Sequence, residues 1–147
     1  DRERLRRRAA ELDVADLVRW VPEASRDELV GFYNDCDLFV MPSTGHPPDV
    51  EGFGLTFLEA SACGKPVLGS TEGGIPDAIV DGETGLTVDL AEPGALERGI
   101  VGLLTDPARA RAMGEAGRRH VMATANWAVA AERILDEVRR LAGQTAA

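Results

Sequence analysis

The feature that most constrains the fold is a series of short apolar runs that alternate with helical stretches over the first two thirds of the chain. The run 37–41, Asp-Leu-Phe-Val-Met, is apolar after its first position. Such a strand is typical of a sheet that helices cover on both faces. Four strands are predicted, at 17–21, 37–41, 65–69 and 86–88. Their alternation with helices predicts an α/β fold with a doubly wound, Rossmann-like parallel sheet.

Helix signals separate these runs and fill the last third of the chain. Ser25 followed by Glu28 is a capping-box sequence. Asp106 before a proline is typical of another helix start. Either Thr124 or Asn126 is expected to cap the last helix, whose apolar residues recur with helical spacing. The predicted helices are 2–12, the segment after Ser25, 54–63, a short helix opening at 73–76, 93–104 and two helices in the C-terminal segment.

Length, charge and hydropathy limit the domain count and the partners. A chain of 147 residues predicts one domain, spanning 1–147. Its formal net charge is −9, which disfavours nucleic acid as a partner because phosphate binding needs clustered cations. The arginine-rich stretch 2–8 is interpreted as a solvated helix face. No apolar run approaches the roughly 18 residues of a transmembrane helix, and we expect a cytoplasmic protein.

Two further features bear on the compartment and on the extent of the protein. Cys36 and Cys63 lie among apolar residues, and their spacing matches no metal or redox motif. Free thiols in a reducing compartment are therefore expected, with no bound metal. The first residue is Asp1 rather than Met, within a predicted helix. We expect the chain to be a piece of a longer polypeptide.

The segment most informative about chemistry follows the strand 37–41. Gly52 and Gly54 bracket Phe53 where a helix begins, and glycines let backbone N–H groups approach a ligand. The first helical turn offers unpaired N–H groups and a positive dipole end, which suit a phosphate. Glu51 and Glu59 flank this corner, which comprises residues 51–59. Their carboxylates suit hydroxyl groups, and a nucleotide sugar presents hydroxyl groups on both sides of its diphosphate. From these residues alone, two surface glutamates beside a glycine turn remain the alternative interpretation.

The Glu51 and Glu59 pair, with Gly-Phe-Gly inside it, resembles the signature of the retaining family 4 glycosyltransferases. Further blocks of the family's pattern occur in the same order along the chain. They are Val18-Arg19-Trp20, the segment 37–43, the segment 58–67, Gly73-Gly74-Ile75-Pro76-Asp77 and the segment 81–86. The resemblance covers nearly the whole chain, and several ordered blocks are far more specific than one pair of glutamates.

This resemblance implies the C-terminal half of a GT-B architecture, in which two Rossmann-like domains face each other across a cleft. It implies retaining transfer of a sugar from a nucleotide-diphosphate sugar, which is a substrate, without a metal or cofactor. Glu51 is implied as the catalytic residue that contacts the transferred sugar, and Glu59 as an acceptor for ribose hydroxyls. The implied donor-binding residues are Gly52, Phe53, Gly54, Leu55 and Glu59, with Glu23 and Ala24 beside the base.

Some features depart from the family's pattern. Pro22 stands where the family often has Gly, which removes a backbone donor, and Asp77 stands where it often has Glu. The domain's first strand, its cationic Gly-Arg turn and Lys, and the whole acceptor domain are expected upstream of Asp1. We therefore expect this chain alone to bind a donor poorly and to be inactive. Acceptor binding and any membrane association would belong to the N-terminal domain.

Other functions and surfaces remain open at this point. A non-catalytic module that binds nucleotides or a partner protein is the main alternative, and a nucleotide-sugar epimerase would need a different set of carboxylates and histidines. His46 is interpreted as an exposed loop residue and His120 as a surface residue. The last helix carries an apolar stripe that includes Trp127, Ile134 and Val138. Without the acceptor domain, we expect this stripe to be exposed and to promote self-association.

Overall fold

The computed structural model describes residues 2–44 and 51–144. Three parallel strands form one sheet in the order β1-β2-β3. The strands are β1 (Phe39–Met41), β2 (Val67–Ser70) and β3 (Leu86–Val88). The helices of the described residues are α1 (Arg2–Glu11), α2 (Arg26–Asp35), α3 (Leu55–Ala62), α4 (Ile75–Ala78), α5 (Ala95–Leu104), α6 (Pro107–Thr124) and α7 (Trp127–Gln144). The predicted α/β class, the parallel sheet and the helical C-terminal segment are confirmed.

Strand β2 is the centre of the sheet, and all four of its residues are buried. Successive side chains of a strand point to opposite faces. Val67 accordingly belongs to a cluster with Phe57 of α3 on one face. Leu68 packs on the other face with Leu103 of α5 and Met113 of α6. Helices therefore cover both faces of the sheet, as the apolar composition of the strands predicted.

The prediction of a strand at 17–21 is wrong. Ala15–Leu17 forms a 3₁₀ helix, and the residues that follow it lie outside the sheet. Val18 has the extended dihedral angles φ −105° and ψ 114°. Among the described residues, however, no strand pairs with this segment, and Leu17 is 83% exposed. Apolar and β-branched side chains favour a strand only where the backbone can pair with a neighbouring strand.

The predicted helix caps are confirmed. The Ser25 N–H donates to Glu28 Oε2 at 2.9 Å, and the Glu28 N–H donates to Ser25 Oγ at 3.3 Å. The Ser25 hydroxyl also donates to Glu28 Oε2, at 2.7 Å, and together with the Ser25 N–H it holds the pKa of the Glu28 carboxyl below its usual value. Asp106 accepts a backbone N–H in the first turn of α6 at 3.0 Å. Of the two candidates for α7, Asn126 is the cap, because its Oδ1 accepts an N–H of the first turn at 3.1 Å.

The arginine-rich stretch lies on α1, almost all of which is exposed. There Arg6 pairs with Glu3, and Arg8 pairs with Glu11, on the surface. This arrangement agrees with a solvated helix face. Both cysteines are free thiols and half-buried. In the part of the chain that the structure describes, no helix is long and apolar enough to cross a membrane.

Candidate functional site

The carboxyl ends of parallel strands lie at one edge of a sheet, where the following loops gather. Two of these loops are joined directly, because Ser70 Oγ donates to the Ser43 carbonyl oxygen at 2.5 Å. The same hydroxyl oxygen accepts the backbone N–H of Glu72 at 3.4 Å. The residues that follow β2 are therefore held beside the segment that leaves β1.

Glu51 makes two contacts that shape this edge. Its Oε1 accepts the backbone N–H of Gly54 at 2.9 Å, and its carbonyl oxygen accepts the N–H of Gly74 at 3.0 Å. At position 73, where φ is +59°, a Cβ would lie 2.5 Å from the Glu51 carbonyl oxygen. At position 74 a Cβ would overlap the Gly52 carbonyl oxygen. Glycines at 73 and 74 are thus needed for this close backbone contact.

Gly54 immediately precedes α3, in a conformation that requires glycine. Its φ is +79°, and a Cβ there would lie 2.6 Å from the Phe57 ring. Because glycine has no side chain, it supplies no cap, and the N–H groups of Leu55 and Thr56 have no acceptor within their own helix. This helix start can attract an anion. The Glu51 carboxylate accepts the Gly54 N–H in this structure, and the role of Gly54 in donor binding stays a prediction.

Glu59 lies on the exposed side of α3, one turn beyond this helix start. Its Oε2 accepts a hydrogen bond of 2.9 Å from the hydroxyl of Tyr33 on α2. Tyr33 itself is buried. Burial raises the pKa of the Tyr33 phenol far above its usual value, and the hydrogen bond to Glu59 raises it further. The hydroxyl therefore stays protonated and serves as a constant donor.

Tyr33 was not among the site residues predicted from the sequence. The available signal was its polar end, because a buried tyrosine hydroxyl usually finds a hydrogen-bond partner. Sequence reasoning also placed Gly73 and Gly74 at the start of a short helix without their contact to Glu51. The signal there was two adjacent glycines, which permit close approach of another backbone segment.

The remaining residues of the predicted site are placed as follows. Gly52, Phe53 and Leu55 are exposed, at the start of α3. Ala24 is exposed and precedes α2, whereas Tyr33 lies in the last turns of that helix. Within the described ranges, no hydrogen bond joins Ala24 to the Glu51 corner. His46 lies outside the described residues, so its predicted exposure stays a prediction.

A hollow of about 640 Å³ lies beside this corner, on the side of α7. Its lining combines exposed apolar groups from the start of α3 with residues of α4, α6 and α7. They include Phe53, Leu55, Leu58, Asp77, His120 and Trp127. Volumes of this size accommodate small organic ligands. Glu51 and Glu59 are not among the lining residues, so this hollow adjoins the corner rather than joining the two carboxylates.

Comparison with known proteins gives a consistent result. The family model described as "Glycosyl transferases group 1" matches residues 1–120. A GDP-mannose-dependent alpha-(1-6)-phosphatidylinositol monomannoside mannosyltransferase from Mycolicibacterium smegmatis is 39% identical over 136 residues, which are 91% of this chain and 36% of the relative. The chain thus spans little more than a third of that relative's length.

Solved structures share the fold. Sucrose-phosphate synthase from Thermosynechococcus elongatus superposes with a TM-score of 0.82 at 34% identity, over 97% of this chain and 35% of that one. HepE from Anabaena, solved in complex with UDP-glucose, superposes with a TM-score of 0.81 at 20% identity, over 94% of this chain and 36% of that one. At 20% identity the second likeness shows the fold alone.

Proposed function

The chain belongs to the group 1 glycosyl transferases and has the fold of one domain of their GT-B architecture, and from this premise we propose that it forms the donor site of a retaining transferase. The donor is a nucleotide-diphosphate sugar, and the group transferred is the sugar. The acceptor is bound by a second domain, which the family's architecture places on the other side of the cleft. In this proposal the corner between Glu51 and Glu59 binds the donor.

The observation that carries the proposal is the arrangement at the start of α3. Two carboxylates occur on either side of a helix start whose first N–H groups have no acceptor within the helix. Leu55 and Glu59 are four residues apart, which is roughly 6 Å along the helix axis. A diphosphate at the N–H groups would therefore have hydroxyl acceptors within reach on both sides.

Each group has a role that its charge permits. The developing charge on the departing diphosphate is stabilised by the N–H groups of Leu55 and Thr56 and by the helix dipole. Glu51 and Glu59 are anions, so we assign them to hydroxyl groups: Glu51 to the transferred sugar and Glu59 to the ribose. Glu51 thereby orients the sugar for an acceptor that attacks from the side of the leaving group. Neither glutamate acts as a nucleophile or a general acid in this scheme.

A nucleotide diphosphate also needs cations, and this chain carries a net charge of −9. Donor binding by the chain alone is therefore expected to be weak. The donor chosen first for testing is GDP-mannose, because the similar mannosyltransferase depends on it. UDP-glucose is the second, because the HepE structure contains it.

The site assignment is tested by titrating the ¹⁵N-labelled chain with each donor while amide shifts are followed by NMR, which detects weak binding. The largest shifts are expected within 51–59 and at Gly73 and Gly74. Glu51→Gln should weaken binding at least about tenfold, because hydrogen bonds to a charged acceptor are strong. Glu97→Gln removes the same charge from an exposed position on α5 and should leave affinity unchanged. Shifts scattered away from the corner would contradict the assignment.

The catalytic claim needs the longer protein, because the acceptor site lies outside this chain in our proposal. Sugar transfer from each donor is measured with the full-length enzyme, and the anomeric configuration of the product is read by NMR. Retained configuration and a loss of transfer in Glu51→Gln are expected. Inverted configuration would overturn the retaining mechanism. Donor binding without transfer to any acceptor would favour the non-catalytic module instead.

A further inference from the structure

We infer that Tyr33 is a positioning residue of the donor site, which orients the Glu59 carboxylate towards the ribose. The inference rests on the proposed function and deepens it. It starts from the 2.9 Å bond between the Tyr33 hydroxyl and Glu59 Oε2. The two residues are 26 positions apart and belong to different helices. The bond therefore joins α2 to the candidate donor corner.

The position of the Tyr33 hydroxyl is set by the core rather than by solvent. The Tyr33 ring packs edge-on against Phe39 of β1, with 5.6 Å between ring centroids. Phe39 packs in the same way against Phe57 of α3, with 5.5 Å between centroids. Phe57 is completely buried. Because packed aromatic rings have few alternative rotamers, the hydroxyl is presented to Glu59 at a fixed point.

The hydrogen bond from Tyr33 restricts the Glu59 carboxylate, which lies on an exposed helix face. A free glutamate side chain samples many rotamers and loses that freedom when it binds a ligand. The Tyr33 bond removes part of this freedom before the ligand arrives. It occupies Oε2 and, among the described residues, no hydrogen bond occupies Oε1. Oε1 is therefore available to accept from a ribose hydroxyl.

A purely structural role is the competing explanation, since a buried phenol needs an acceptor wherever it lies. The two roles differ in what they do to ligand recognition. A positioning residue affects only ligands that carry ribose hydroxyls. A structural residue affects all nucleotides alike, or affects stability alone. The experiment therefore compares GDP with 2′,3′-dideoxyguanosine diphosphate, which lacks both hydroxyls.

Affinities of the ¹⁵N-labelled chain for both nucleotides are measured by NMR titration. Wild type should prefer GDP, and Tyr33→Phe, which keeps the ring, should weaken GDP binding about 3- to 10-fold through the loss of one hydrogen bond. Its affinity for the dideoxy nucleotide should not change. Combining Tyr33→Phe with Glu59→Gln should add little to the effect of Glu59→Gln alone. Thr105→Val deletes another side-chain hydroxyl bond, remote from the corner, and should change neither affinity.

A second measurement keeps the Tyr33 hydroxyl in place. Tyr33 is the only tyrosine of the chain, so incorporation of 3-fluorotyrosine gives a single ¹⁹F resonance. GDP should shift this resonance more than the dideoxy nucleotide does. Equal ¹⁹F shifts for the two nucleotides, or a ribose preference that survives Tyr33→Phe, would overturn the inference alone. Wild-type chain that binds neither nucleotide, or does not distinguish them, would overturn the proposed function together with it.

Discussion

Helices α3 and α7 have apolar residues in helical spacing, but the structure treats the two sets differently. In α3, Phe57 and Ala60 are completely buried against β2 and its neighbours. In α7, Trp127 is 91% exposed and Ile134 is 65% exposed. The cause is the presence or absence of an opposing surface. α3 faces a sheet and three other helices, α2, α4 and α6, whereas the apolar stripe of α7 has no cover within the described residues.

The difference shows that an amphipathic pattern predicts helix formation but does not by itself predict burial. The pattern predicts that a helix forms and which residues share one face. Stabilisation by burial arises only if another surface removes that face from water, at roughly 25 cal/mol per Å² of apolar area. The exposed stripe agrees with the expectation from sequence, and the self-association that it was expected to promote stays a prediction.

The largest contrast between the two helices should come from Phe57→Ala. Phe57 is fully buried and packs edge-on against Phe39, so its removal leaves a cavity beside β2. The free energy of unfolding should fall by about 3–5 kcal/mol, measured by urea denaturation followed by circular dichroism. A loss below about 1 kcal/mol, typical of a partly exposed site, would show that the α3 side of the core is much looser than described.

A slightly smaller effect is expected where two backbone segments meet near α3. In Gly74→Ala the new Cβ would overlap the Gly52 carbonyl oxygen, so the 51–52 segment must move, at a cost of about 3 kcal/mol. Gly102→Ala is the matched control on α5, because open space surrounds that position. It should raise stability by up to about 1 kcal/mol. Equal effects of the two alanines on the urea midpoint would contradict the close contact.

The smallest effect on stability should come from α7. Ile134→Ser removes an exposed apolar group and should change the free energy of unfolding by less than about 0.5 kcal/mol. If the stripe promotes self-association, the same change should shift sedimentation at high concentration towards monomer. Glu132→Gln, on the same helix, is the control for a surface substitution that leaves the apolar stripe unchanged. A wild-type chain that sediments as monomer at every concentration would contradict the prediction of self-association.

Much of the candidate site could be predicted from sequence because its parts are close along the chain. The spacing of Glu51, Gly54 and Glu59 predicted a helix start between two carboxylates, and α3 begins at Leu55. Pattern alone could not predict that Glu51 itself accepts the Gly54 N–H. That contact depends on the rotamer of one side chain, which composition and periodicity do not specify.

Local patterns were enough to predict the α/β class, the strands β1, β2 and β3, and the helix caps at Ser25 and Asp106, because the residues of each element and cap lie close along the chain. Three features could not be predicted in this way: 17–21 lies outside the sheet, Gly74 meets the Glu51 backbone, and Tyr33 reaches Glu59. These outcomes depend on which distant segments come together. Local propensity does not predict them, since a hydrogen bond or a buried face requires a partner that the neighbouring residues do not supply.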